Sequence, residues 1–549
     1  MKYFLITMIS LLSTACFYAQ DVELIEGEEF KDGRTILFTA PHNDGFVVLS
    51  VDGYRMEEDD VNHDADILDD NGQRYMDGDK KVFITQLNSK LAIDKIEKIQ
   101  REKSQALPEI KAEKFSLYAL ENIGGKLFMY YTKYSKSAKK TEHCVMEINV
   151  DKPILSKETV LNVDEFGKKK SRSLFLKNTD ASIVVFATKP HGKKNDNCMI
   201  KVVAYSTADH SELWMQMYDT GRKRNQVIFN EIHLAQNGTL FIGYQNYRKN
   251  KKTRSYLSKE SKESKERRPF YKQCVAALRD EETLYTELKL DQYFPYKCDF
   301  QTIENNLIIC GTYTTQYKGN LRGIYSWIVD QETFAVSEPR LQDFSDDLLN
   351  QMDDEDIGTA KAKDPGIKSY LGLGTIMQEG EGNIKYIYEP YREKRRTSAM
   401  DQGMMHQYVY YITKSIIVAD ISEEISFSTI PRSVRFESDF SAIQSKLLKT
   451  DKGAYLLYLD HIENMIGMKK RKKDFKLKEL RNSKAGVLAM ARFDSNNSIT
   501  RKVLRKLENE NFYFNPSYTA RVGAGEFMLT GVNDGILKSR KQKNLLLKL

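Results

Sequence analysis

The sequence predicts an all-β protein, a propeller of eight four-stranded blades. Three observations predict it. A unit of strand, tight polar turn and strongly apolar strand occurs eight times. A third and usually a fourth strand follow most copies. The last copy is one strand short, while an unassigned strand precedes the first. A seven-bladed ring with the N-terminal hairpin packed outside it, and a two-domain β-sandwich, are the alternatives.

Residues 1–20 read as a signal peptide. Lys2 supplies a short positive start and Tyr3 to Leu12 an apolar run too short to span a bilayer. Cleavage near Ala19 and Gln20 leaves a mature chain from about Asp21. Ser13, Thr14 and Ala15 before Cys16 offer a second reading, a lipoprotein, although Ser13 stands where an aliphatic residue is wanted. Export follows from either. No later apolar run is long enough for a membrane helix, so 21–549 is read as a single propeller domain without a transmembrane segment. Charged insertions are expected at 54–81, 248–272, 345–367 and 462–484.

The hairpin copies begin at Thr35, Phe115, Ser173, Phe229, Cys298, Leu371, Ile443 and Pro516; TILFTAPHNDGFVVLSVD from Thr35 shows the pattern. Third strands start near Cys144, Cys198, Cys274, Ile324, Ser415 and Gly486, and fourth strands near Glu212, Leu284, Ile425 and Ser498. The eighth unit ends at NLLLKL with three strands, and Val22 to Glu28 is the spare one. Pairing the two closes the ring and removes its open edge.

Tyrosine (31) and phenylalanine (26) are plentiful and proline (11) is sparse, which suits many strands and no long linkers. Apart from Cys16, the cysteines are Cys144, Cys198, Cys274, Cys298 and Cys310, an odd number with no CxxC spacing. Three fall near the start of third strands in successive units, too far apart to bridge, and read as small buried hydrophobes. Cys298 and Cys310 lie across one hairpin, so a disulfide between them stays open.

The nucleophile-elbow, P-loop, zincin and dinucleotide-binding motifs are absent, as are Trp-Asp and kelch repeats. Trp214 and Trp327 read as core. The histidines are scattered, with His42 and His461 at a turn and a strand end, where solvation or capping is expected. No cofactor is indicated. The acidic insertion from Glu57 to Asp79 has the carboxylates calcium sites use, but with Gly72 at the sixth loop position Ile67 falls at the first, so an EF-hand fails and a solvated loop competes with a calcium site. DDLLNQMDDEDIG from Asp346 reads as a short amphipathic helix in a surface connection. Asp52, Asp460 and Asp534, at ends of second strands, are the carboxylates that a carbohydrate-binding or glycoside-cleaving propeller would use; as strand-end caps they need no such role.

Charge is the most informative feature. Residues 248–272 hold eleven Lys or Arg against three Glu, a net of +8, and 462–484 nine against three acidic residues, a net of +6. The whole chain carries only +7, so the charge is segregated. Further basic runs lie at Lys133, Lys189, Tyr391 and Lys538, each between a second and a third strand, and such loops all emerge on one face of a propeller. A basic face is therefore expected, with Lys249, Lys251, Lys252, Arg254, Arg267, Arg268, Arg395, Arg396, Lys469, Lys470, Arg471, Lys472 and Lys473 as binding residues for an acidic protein surface or an anionic envelope component. Phe475, Leu477 and Leu480 give the last run apolar handles. Lys-rich tips that keep loops soluble are the competing reading. Nucleic acid is not expected for an exported chain.

The signal ending Phe17-Tyr18-Ala19-Gln20, YYITKSIIVADISEEISFSTIPRS from Tyr410 and AYLLYLDHIENM from Ala454 make the chain resemble exported, poorly characterised propeller-like proteins of Bacteroidetes. Ser428 and Ser433 depart from the Trp and Lys often found there. The resemblance implies no catalytic residues. With a chain ending inside its last blade, it implies a periplasmic or outer-membrane component rather than secreted cargo, set in a type 9 secretion assembly or a nutrient-uptake complex. The expected function is a non-enzymatic interaction scaffold.

Overall fold

Every hairpin expected from the sequence forms, and each is the start of one sheet. A computed structural model of the chain describes residues 22–549 except for several segments, the longest being 52–73, 102–113, 249–269, 350–356, 359–365, 468–476 and 534–540. Eight sheets follow one another along the chain, antiparallel but for a two-residue parallel pair at the edge of blade 2. Blade 1 is Thr35–His42, Gly45–Val51, Val82–Leu87 and Ile93–Lys98, paired in that order. Blades 3, 4, 6 and 7 repeat it simply, and blades 2 and 5 add short extra strands.

The first strands line the centre. Those of blades 8, 1 and 2 touch in succession, as do those of blades 3, 4, 5 and 6. Blade 1 thus sits within the ring, which excludes the seven-bladed alternative. The outer strands meet water on one side: Glu212–Lys223 of blade 3 buries Trp214 and Tyr218 and exposes Leu213, Met215 and Met217 between them.

Period-two alternation also explains the cores. Both faces of each blade are covered by neighbours, so second and third strands are apolar almost throughout, as in Ile183–Lys189 and Gly453–His461. Eight apolar clusters result, one for each seam between blades.

The spare N-terminal strand closes the ring. Glu23–Lys31 pairs antiparallel with Lys541–Lys548 and becomes the outer strand of blade 8, beside Ala520–Gly523 and Glu526–Asn533. Gly27 is needed where this strand presses on blade 1, since a Cβ there would lie 2.7 Å from Cβ of Leu91. Glu26 accepts hydrogen bonds from Lys543 (3.0 Å) within the blade and from Arg505 of blade 7, which ties the closure to its neighbour.

The five described cysteines are free and buried. Cys298 and Cys310 do not pair because they face opposite ways, Cys298 into the seam of blades 4 and 5 and Cys310 into that of blades 5 and 6. Trp214 and Trp327 are core, as expected.

Three expectations for the insertions are revised. From the first, Arg74–Met76 forms a strand against the innermost strand of blade 2, Lys114–Ile123. The third contains a single helical turn, Asp346–Leu349, with Leu348 buried, and then strands Ile357–Gly358 and Gly366–Ile367 that extend blade 5. The stretch from Tyr391 is not a loop: the second and third strands of blade 6 run Ile384–Ala399 and Met405–Asp420, in register as far as Ala399 and Met405. Tyr, Val and Ile on Tyr408–Ile412 supply the β-forming partners that convert a charged run into a strand.

Candidate interaction face

Second-to-third strand connections leave the ring on one face, and the expected basic residues divide there by blade. In blade 4, Arg248 pairs with Phe270, so the connection holding Lys249, Lys251, Lys252, Arg254, Arg267 and Arg268 departs from this face. Those six lie outside the described residues, as do Lys469, Lys470, Arg471, Lys472 and Lys473 of blade 7. Arg395 and Arg396 lie on the blade 6 ribbon, opposite Val409 and Tyr408.

Blade 7 grips both feet of its basic segment. Helix Ile462–Gly467 begins where the second strand ends, capped by His461, whose Nδ1 accepts the backbone N–H of Glu463 (3.2 Å). This fits the capping role expected of that histidine. Asn464 then clamps the returning chain: its amide donates to the carbonyl of Lys478 (2.9 Å) and accepts from the N–H of Lys478 (2.8 Å). Two residues later Leu480 forms a parallel bridge with Val434 on the outer strand of blade 6, Ser426–Glu437, and is buried. One of the expected apolar handles is therefore used inside the molecule.

This docking brings charges of two blades together. Glu479 contacts Arg481 at 2.6 Å and Lys414 and Arg435 at 3.9 Å, and so gathers three cations. The guanidinium of Arg435 lies 4.1 Å from the ring centre of Tyr410. Lys394 and Lys478 are exposed nearby. Sequence reasoning singled out the run around Lys469 but missed Lys414 and Arg435, because nothing local marks them as neighbours of residue 479.

In blades 2 and 3 several cations of the basic runs are taken up within the structure, while Lys139 and Lys193 are exposed. Lys133 is half-buried between Glu142 (3.1 Å) and Glu158, and Lys140 also pairs with Glu142 (2.7 Å). Lys189 is buried, 5.7 Å from the ring centre of Phe229. Among the described residues, the cations clustered on this face are Lys414 and Arg435 of blade 6 and Arg481 of blade 7. Around Lys133, the donor atoms of Glu142, Cys144 and Glu158 lie within 4.8 Å of one another, a spacing a metal ion could use. The ammonium already supplies the positive charge there, and burial pushes the Cys144 thiol well above its ordinary range.

Of the carboxylates considered for sugar chemistry, Asp52 and Asp534 lie outside the described residues. Asp460 is fully buried: it accepts from Asn464 (2.7 Å) and the His461 N–H (2.8 Å), and pairs with Arg501 (2.8 Å). Burial raises its pKa and the Arg501 charge opposes the rise. Its oxygens hold the start of the blade 7 insertion. The residues considered for calcium lie almost wholly in 57–73 and 77–79, outside the described residues.

No protein-family profile and no curated protein matches the chain. Among solved structures it is similar to the Dos1 propeller, at 8% identity and a TM-score of 0.41, over 96% of this chain and 95% of that one. It is also similar to the WD40 domain of SCAP from fission yeast, at 9% identity and a TM-score of 0.35, over 96% and 94%. These likenesses are too low to carry an argument. The eight-bladed architecture rests on strand order and register.

Proposed function

We propose that the protein is an exported, non-enzymatic scaffold, periplasmic or associated with the outer membrane, that presents the basic face of blades 4, 6 and 7 to an acidic protein surface or an anionic envelope component. One observation carries the reading: the docked return of the blade 7 insertion sets Lys414, Arg435 and Arg481 around a single carboxylate beside the basic runs. Cations held in place on a surface attract an anion brought to it. Export is supported by the charge and apolar pattern of residues 1–20. The resemblance to exported Bacteroidetes proteins supports a place in a secretion or nutrient-uptake assembly.

Capture from envelope extract tests the partner. Against the intact protein, a variant with Lys469, Lys470, Arg471, Lys472 and Lys473 changed to Gln and the cations of 249–268 likewise neutralised is expected to lose its main partner. Binding by the intact protein should weaken as salt rises from about 50 to 300 mM. An identical set of partners for both proteins would refute the basic-face reading. Mass spectrometry of the native protein tests export: the expected N-terminus is Asp21, and a chain retaining Met1 in the cytosol would refute it.

A further inference from the structure

The opposite face carries a second feature. Where the first strands of blades 5, 6 and 7 reach their hairpin turns, they enclose a cavity of about 300 Å³ lined by Gln301, Thr302, Gln378, Glu379, Lys449 and Asp451 among others. Strand alternation aims these side chains. Ile303 and Ile376 share the seam of blades 5 and 6, so Gln301 and Gln378, each two residues away on its strand, face each other across it. Leu447 packs towards blade 6, which turns Lys449 the same way. Thr302 faces blade 4, where its N–H donates to Nε2 of His233 (3.2 Å).

The lining holds matched opposites. Among the described residues neither Lys449 nor Asp451 forms an ion pair, whereas Glu379 faces Lys385 at 3.7 Å. Lys449 and Asp451 are open to solvent, although the surrounding strands lower the pKa of Lys449; burial and the Lys449 charge hold that of His233 at about 4, so this imidazole is neutral and accepts through Nε2. A simple anion would meet Asp451 and Glu379, and a simple cation would meet Lys449. The volume is at the small end for ligand sites.

We propose that this end of the channel binds a small zwitterion of amino-acid size, its carboxylate on Lys449, its ammonium on Asp451, and its side chain between the amides of Gln301 and Gln378. The site is independent of the basic face. Calorimetric titration of the full chain with a panel of standard amino acids is the test, with succinate, 1,4-diaminobutane and glucose as the wholly anionic, wholly cationic and neutral probes. At least one amino acid should bind saturably and more tightly than all three other probes. Lys449→Gln and Asp451→Asn should each weaken it about tenfold or more, the loss expected for a charge-assisted contact. The variant neutralised at Lys469 to Lys473 should bind as the intact protein does. Absence of saturable binding by any amino acid, equal or tighter binding of succinate, diaminobutane or glucose, or unchanged affinity in both single variants would overturn the proposal.

Discussion

Asp164 is the residue on which the seam of blades 2 and 3 turns. Its carboxylate lies 2.8 Å from Nε2 of His143 and accepts from Lys201 of the next blade at 2.8 Å, and all three are buried. Burial alone would raise its pKa, but the His143 and Lys201 hydrogen bonds and charges outweigh it and hold the group at about 2. The folded value is depressed, so the stabilisation is present above the unfolded pKa, near 4, and fades as pH falls through about 2; it amounts to roughly 2 kcal/mol. Urea unfolding of Asp164→Asn and the intact protein should therefore converge as pH is lowered from 6 towards 2, and a constant gap would contradict this. Asp164→Ala, which removes the carboxylate that faces Lys201 in the seam, should cost about 3–5 kcal/mol at neutral pH. None of this is visible in sequence, since the partners of Asp164 lie 21 and 37 residues away. The cysteines are different: burial follows from their place on interior strands, and the five described thiols should react with Ellman's reagent only after unfolding, whereas rapid native reaction would contradict their packing.

At the scale of elements, hairpins were legible because an apolar strand must pair and a Gly, Asn or Asp turn says where. Gly124 and Gly125, both at positive φ, mark the tightest case. The blade 6 ribbon was not legible, because Tyr391 to Arg396 reads as a solvated loop until Tyr408 to Ile412 lies alongside. The two feet of the blade 7 insertion escaped for a similar reason: Leu480 looks like a handle for a partner, and its seat is on another blade. Leu480→Ala should cost about 2–5 kcal/mol by thermal or urea unfolding, and should make the segment around Lys469 cleave faster in limited trypsin digestion. Unchanged cleavage would mean the docking does not restrain the segment. Gly27→Val tests the closing strand: the added atoms meet Leu91 and the carbonyl of Asn544, 3.2 Å from the Cβ position, and a loss of about 1–3 kcal/mol is expected in the same measurements.

For the whole molecule, the blade number and the closure through Val22 to Glu28 could be read from a count of strands, since a ring has no remainder. The side on which charge should gather follows from the strand count, but how the described cations are distributed does not. Lys133 and Lys189 look as available as Lys469 in sequence, and only the packed structure shows one between carboxylates and the other buried against Phe229. A chain lacking residues 22–31 should leave the edge of Lys541–Lys548 open and self-associate, as light scattering would show; a monodisperse monomer would contradict the role given to that strand. The contact between Glu26 and Lys543 joins residues 517 apart in sequence. The first strand of the ring thus waits for the last. That delay leaves the edge strands of blade 8 open to other chains until the ring closes.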